Sequence, residues 1–192
     1  MTVTDQTDLD RYLSADEFAP PDADTETLLL CALLFATRAA AADIVDLLTT
    51  DDFHQPLHAE LFDAIAALMN TGQPHDPAMV LAHLERHGRL AGHHGRRLAY
   101  ALTTATTAGA DPTASPYYAH AVISAAYRRS FRTAGATITE AAETLPEAAE
   151  TLPEADLFDH MVAIGRVQRA AARRLDRVRA RLGGAPTVGA TT

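Results

Sequence analysis

Apolar residues recur at helical spacing along most of this chain, and no segment shows the apolar–polar alternation of a β-strand. The clearest case is 51–68, DDFHQPLHAELFDAIAAL, which predicts a helix from Pro56 to about Asn70 with Phe53 as an apolar anchor in front of it. Proline suits the first helical turn, because the amide that it lacks would be unpaired there. Four apolar residues share one face, which must be buried: Leu57, Leu61, Ile65 and Leu68.

The same criteria predict four further helices before residue 113. The segment 28–35 is apolar nearly all round, so the first of these helices belongs at the centre of a core. Glu26 falls in its first turn, where a carboxylate interacts favourably with the helix dipole. Asp76 followed by Pro77 is typical of a helix start. The predicted helices cover about 24–35, 40–48, 77–88 and 97–104, with a connection over 88–95.

From Ser115 onward the apolar positions follow one another at steps of three and four over two long runs. Such steps are typical of a long helical hairpin or a coiled-coil seam, and two consecutive helices of this kind pack antiparallel. Gln168 is a polar residue in this seam, where it either fixes register and oligomeric state or adjoins a small cavity or water. The seam residues that we expect to mediate association are Tyr127, Phe131, Ile138, Leu157, Met161, Ile164, Gln168, Leu175, Val178 and Leu182.

The pattern as a whole predicts an all-α fold, with a compact orthogonal helical head followed by a long antiparallel helical hairpin. The head covers 24–112 and the hairpin 113–183. An acidic mobile tail is expected over 1–23 and a disordered tail over 184–192. The heptapeptide AAETLPE occurs twice in succession, and we expect its second copy to open the return helix.

Composition excludes several classes of chemistry. The chain has sixteen basic side chains, all arginine, and no lysine. A P-loop, a protein kinase and a Schiff-base enzyme each need a lysine, so none of them can be built from this sequence. The net charge of −9 also disfavours the whole molecule as a general DNA binder.

The cellular compartment of the protein is inferred from its N-terminus, its apolar runs and its single cysteine. The N-terminus is acidic rather than basic and apolar, so it does not resemble a secretory signal. No apolar run approaches the roughly 20 residues of a membrane span. Cys31 lies within LLLCALLF, where we expect a small buried hydrophobe rather than a reactive thiol. A single cysteine excludes an intrachain disulfide, and we expect a cytoplasmic protein.

Neither a catalytic nor a metal site is expected. His54 and His58 are four residues apart, as are His83 and His87, but a zinc site needs three or four convergent ligands. The sequence has neither an HExxH motif nor a cysteine cluster. The pair 51–52 is interpreted as a helix-capping turn rather than as acid–base carboxylates. We therefore expect no catalytic residue, no bound cofactor and no metal.

The second hairpin helix carries a dense run of arginines near its C-terminal end. One interpretation is contact with a phosphate backbone, and the other is a solvated face paired with acids of this protein or of a neighbour. The residues in question are Arg173, Arg174, Arg177 and Arg181.

Six motifs in one register resemble the N-terminal domain of the DnaB-type bacterial replicative DNA helicase. They occur in the order PPDADTETLLLCALL (20–34), DDFHQPLHAELFDAI (51–65), Gly72-x-Pro74-x-Asp76, ERHGRL (85–90), LAY (98–100) and TASPYYAHAV (113–122). The sequence departs from the family where paired glycines precede LAY, since Gly95-Arg96-Arg97 stands there.

The resemblance implies a compact helical domain and a hairpin that pairs with its neighbours in a ring-like collar, which contacts primase and loader proteins. We expect the helicase's ATPase domain to be absent, because the sequence has no lysine for a Walker A motif. We therefore expect a stand-alone, non-catalytic interaction module of DNA replication that forms a dimer or higher oligomer, with helicase or primase as candidate partners. Two alternatives stay open: a nucleic-acid-binding accessory protein that uses the arginine helix, and a degenerate helicase fragment.

Overall fold

The structure, a computed structural model, describes residues 21–144 and 153–183. These ranges form seven α-helices and contain no strand, which confirms the all-α prediction. One-turn 3₁₀ helices lie at Thr50–Asp52 and Pro112–Ala114. The α-helices are α1 (Pro21–Phe35), α2 (Arg38–Val45), α3 (Pro56–Asn70), α4 (Pro77–Arg86), α5 (Gly92–Thr107), α6 (Ser115–Thr144) and α7 (Pro153–Gly183).

Three sequence-based expectations concern residues outside these ranges. Most of the acidic tail (1–20), much of the AAETLPE repeat (145–152) and the C-terminal tail (184–192) are not among the described residues. The return helix α7 begins at Pro153, within the second copy of the repeat as predicted.

Helix α1 is the centre of the head. Residues 29–34 are all buried, and the helix packs against α3, α5 and α6. Burial on every side is what its apolar sequence predicts, although Phe35, its last residue, is exposed. Cys31 lies within this buried stretch, which confirms that it acts as a small hydrophobe.

A carboxylate from α1 accepts hydrogen bonds from the backbone amides at the start of α3. Glu26 is only 1% exposed and accepts hydrogen bonds from the backbone N–H groups of His54 and Gln55. Nδ1–H of His58, itself buried, donates to the same carboxylate at 3.0 Å. Placing Glu26 at the dipole of its own helix was therefore wrong. Helix α1 begins at Pro21, so Glu26 lies in its second turn. Its carboxylate instead accepts hydrogen bonds from backbone amides just before α3, which have no partner within that helix.

The other head helices differ from prediction mainly at their ends. Helix α4 begins at Pro77, and Asp76 Oδ1 accepts hydrogen bonds from two first-turn amides, as its sequence indicates. Helix α2 lies two residues earlier than predicted, because Thr37 caps it. Helix α5 begins at Gly92, so the predicted connection over 88–95 is correct for 88–91 and wrong for 92–95, which are helical.

The early start of α5 has a tertiary cause, since GHHG has weak intrinsic helix propensity. Glu60 of α3 binds Arg89 and His94, each at 3.0 Å, so both sides of the turn into α5 are held by one carboxylate. Burial acts to raise the pKa of Glu60, but hydrogen bonds from His94 and Arg89 outweigh it and lower the pKa. These contacts with α3 help to hold the first turn of α5.

Gly95 has a packing role at this turn. A Cβ built on it would lie 2.0 Å from the carbonyl carbon of Leu90, a backbone atom that cannot swing away. Two other helical glycines, Gly135 in α6 and Gly165 in α7, have open space around the same position.

Helices α6 and α7 form the predicted hairpin, and its base completes the core of the head. Ala119, Val122 and Ile123 of α6 are buried in the same cluster as Leu175 and Val178 of α7. Throughout the described ranges, no helix combines the length and apolarity needed to cross a membrane.

We expect Gly95→Ala to lower the free energy of unfolding by roughly 3 kcal/mol, because the new methyl group overlaps backbone. The matched change Gly135→Ala should raise it by about 0.5–1 kcal/mol, since alanine is the better helix former and meets no neighbour. Urea denaturation followed by circular dichroism measures both. Equal effects of the two changes would contradict the assigned packing.

Candidate interaction surface of the helical hairpin

The predicted seam residues divide into two groups along the hairpin. Near the base, Leu175 and Val178 are buried in the chain's own core, and Tyr127 and Leu182 pack against it. Farther out, Ile138, Ile164 and Gln168 are partly buried, whereas Phe131 and Met161 are 49% and 46% exposed. The side chain of Leu157 is outside what the structure describes. Association through the outer residues stays a prediction.

The base of the hairpin is fixed to the head by Asp52, which is 2% exposed. Its Oδ2 accepts hydrogen bonds from the backbone N–H (2.7 Å) and hydroxyl (3.1 Å) of Thr49, so the predicted capping role of this turn is confirmed. The same oxygen forms an ion pair with Arg174 of α7, and Arg174 also donates to the Thr49 hydroxyl. One carboxylate therefore caps its own turn and holds α7.

Helix α6 reaches the same turn through Arg129. Its Nη2 donates to the backbone carbonyl of Asp52 at 2.6 Å, while its Nη1 is buried without a hydrogen-bond partner among the described residues. Sequence reasoning missed Arg129. Its only signal was an arginine between the apolar positions Tyr127 and Phe131, and many solvated helices show that pattern.

A second link lies at the end of α7. Arg181 donates to the backbone carbonyl of Asp43 in α2, and its guanidinium is 3.5 Å from the Asp43 carboxylate. Of the four arginines proposed from sequence, Arg174 and Arg181 thus bind the head. Arg173 and Arg177 are exposed and form no ion pair with any described residue.

We define the distal hairpin as 126–144 of α6 and 153–168 of α7; most of it lies beyond these links, and Tyr127 and Arg129 at its inner end contact the head. It carries four of the eight large apolar side chains that are exposed within the described ranges: Phe131, Phe158, Met161 and Val167. A cleft of about 960 Å³ opens between the two helices there, lined by Thr133, Ala134, Ile164 and Val167 among others. Exposed apolar surface of this kind commonly marks a protein-binding region.

The histidines are placed for structural roles. His58 binds Glu26, and His54 is exposed. The rings of His83 and His87 are tilted by 36° with centroids 4.2 Å apart, and His87 Nδ1 is hydrogen-bonded to the carbonyl of His83. Partial burial, with the positive charges of His87 and Arg86 nearby, lowers the pKa of His83. Among the residues that the structure describes, no group of three or more His, Cys, Asp or Glu could hold a metal ion.

Comparison with known proteins identifies relatives of the head and the hairpin base. A family model described as "DnaB-like helicase N terminal domain" matches residues 19–124, more than half of the chain. The replicative DNA helicase DnaB of Mycobacterium leprae (strain TN) is 33% identical over 123 residues, which are 63% of this chain and 19% of that protein. The same helicase of Leifsonia xyli subsp. xyli (strain CTCB07) is 31% identical over 127 residues, 66% of this chain and 27% of that protein.

A solved structure agrees with these relatives. The crystal structure of the N-terminal domain of DnaB helicase from Mycobacterium tuberculosis matches with a TM-score of 0.62 and 29% identity, covering 74% of this chain and 94% of that one. This chain therefore corresponds to nearly all of an isolated N-terminal domain. It spans 19% and 27% of the length of the two curated helicases.

We expect Arg174→Ala to lower the free energy of unfolding by about 3 kcal/mol, because it leaves the buried carboxylate of Asp52 without its counter-charge. Its neighbour Arg173 is exposed and has no ion pair within the described part of the chain, so Arg173→Ala should change stability by less than about 0.5 kcal/mol. Adding Asp52→Asn to Arg174→Ala should recover part of the loss. Urea titrations of the four proteins measure these effects, and similar costs for the two arginines would disprove the link.

Proposed function

Because the chain belongs to the DnaB-like helicase N-terminal domain family, we propose that it is a non-catalytic protein-interaction module of DNA replication that acts in the cytoplasm. In this proposal it self-associates through the distal hairpin and contacts the replicative helicase or its primase. It hydrolyses no ATP itself, since the sequence contains no lysine from which a Walker A motif could be built.

The observation that carries the proposal is the contrast between the two ends of the hairpin. At the base, Leu175 and Val178 are covered by the head, and Arg174 is paired with Asp52. In the distal hairpin, Phe131 and Met161 expose about half of their surface, and Val167 is 66% exposed. These large apolar side chains are exposed to water on an anchored arm. Covering them with a second surface lowers the free energy, so association is favoured.

The choice of partner rests on the relatives. Both curated matches are named replicative DNA helicases, which supports the helicase, or a protein that works with it, as the partner. The family model's match ends at residue 124, before the distal hairpin begins. We propose that partner contacts are made by the distal hairpin, whose large apolar side chains the head leaves exposed.

We expect the protein to sediment as a dimer or larger oligomer at micromolar concentration. The double substitution Met161→Asp/Val167→Asp should shift it to monomer, because buried aspartates without partners oppose association. Leu175 is unsuitable for this test, since it lies in the chain's own core. Tyr117→Asp is the control, because that residue is exposed near the base of α6 and outside the distal hairpin. A wild-type monomer, or equal disruption by Tyr117→Asp, would argue against self-association at this surface.

Nucleic-acid binding through α7 is the second candidate function. Arg173 and Arg177 favour it, since both are exposed and lack an acidic partner among the described residues. Their neighbours Arg174 and Arg181 are engaged with the head, which leaves fewer cations for phosphate than the sequence offers.

If α7 binds single-stranded DNA, affinity should fall as salt rises, with a logarithmic slope of about −1.4 for two phosphate contacts. Arg173→Gln/Arg177→Gln should abolish binding, whereas Arg86→Gln, an exposed arginine of α4, should leave it unchanged. Fluorescence anisotropy at low salt measures this. Absence of any binding there would remove this function.

A further inference from the structure

A groove on the head, distant in sequence from the hairpin, is lined by three helices and has a volume of about 500 Å³. Helix α5 contributes His93, Arg96, Arg97 and Tyr100 to it. Helix α1 contributes Thr27 and α3 contributes Leu57. We call it the α5 groove.

The lining of the α5 groove contains two arginines and no acidic residue to balance their charge. Arg96 and Arg97 are exposed, and neither forms an ion pair with a residue whose side chain the structure describes. No aspartate or glutamate lines the groove. Glu26 lies behind the lining residue His58, but its oxygens already accept three hydrogen bonds. The groove therefore presents two guanidinium groups that have no counter-charge among the side chains that the structure describes.

The groove is also apolar at one side. Tyr100 is 74% exposed there, the largest exposed fraction among the exposed large apolar side chains of the described ranges. Leu57 is partly buried in the same lining and packs against the core of the head. A ligand that matches this surface carries carboxylates together with apolar side chains, as an acidic peptide does.

The chain supplies such a peptide next to the groove. Residues 1–20 contain five acidic residues and one arginine, with Leu9, Tyr12, Leu13 and Phe18 as apolar side chains. This segment leads into α1 at Pro21, and the groove residue Thr27 is only six positions farther along, about 9 Å on a helix. A coil of 20 residues spans roughly 25 Å, so the groove is within its reach.

We propose that the α5 groove is the docking site of the chain's own acidic segment, residues 1–20. The carboxylates pair with Arg96 and Arg97, and the apolar side chains cover Tyr100. Because the segment is tethered beside the groove, its effective concentration there is of millimolar order, which favours it over a free polyanion. The docked segment would thus keep other anionic ligands out of the groove.

The test uses the full chain with Tyr100→Trp, which gives a single fluorophore because the sequence contains no tryptophan. We expect acrylamide to quench this indole at low salt roughly twofold less than in the same protein carrying Asp8→Asn, Asp10→Asn, Asp16→Asn and Glu17→Gln, because docked side chains cover the ring. Arg96→Gln/Arg97→Gln and high salt should remove the protection equally. Arg86→Gln is the control and should leave it intact.

Equal quenching with the native and the neutralised segment would overturn the proposal. So would protection that disappears on dilution, since the segment would then come from a second copy. A single-stranded oligonucleotide is added as the competing ligand. If it protects the indole in the protein with the native segment, the groove is a nucleic-acid site and the proposal fails. If it does so only in the neutralised protein, the segment excludes it, as proposed.

Discussion

The structure depends on two buried carboxylates that converge on one short connection, residues 49–55 between α2 and α3. Glu26 accepts hydrogen bonds from the backbone amides in front of α3 and from His58, so it joins α1 to α3. Asp52 caps its own turn and binds Arg174, while its carbonyl receives Arg129. A buried carboxylate is tolerated only when donors surround it, and here those donors come from the elements that must be held together.

This connection decides what remains available for function. Because α6 and α7 are both fixed at Asp52, the base of the hairpin cannot serve a partner without first leaving the head. The arginines divide in the same way: Arg174 and Arg181 hold the arm, whereas Arg96 and Arg97 on the head, together with Arg173 on α7, remain without acidic partners in the described ranges. Within the described ranges, the distal hairpin therefore keeps large apolar side chains exposed, and the α5 groove keeps two arginines without an acidic partner.

The sequence predicted those features that are determined by residues close together in the chain. Pro56 and Asp76–Pro77 marked helix starts because caps and proline act within one turn, and the apolar run 28–35 indicated a central helix. It failed where the cause is a distant residue. Glu26 was assigned to its own helix because nothing within four residues shows that its partners lie 28 to 32 positions away. The seam pattern likewise predicted that Leu175 is buried, but a pattern cannot specify whether the covering surface is the head or a second chain.

In the proposed function, an anchored hairpin presents its distal half for association. Amide hydrogen exchange of the full chain, compared between dilute and concentrated solutions, tests it most directly because it locates any protection along the sequence. We expect protection to increase with concentration within 126–144 and 153–168 and to stay constant around 49–55 and throughout α1. Exchange that is independent of concentration in the distal hairpin, or protection that arises on the head instead, would contradict it.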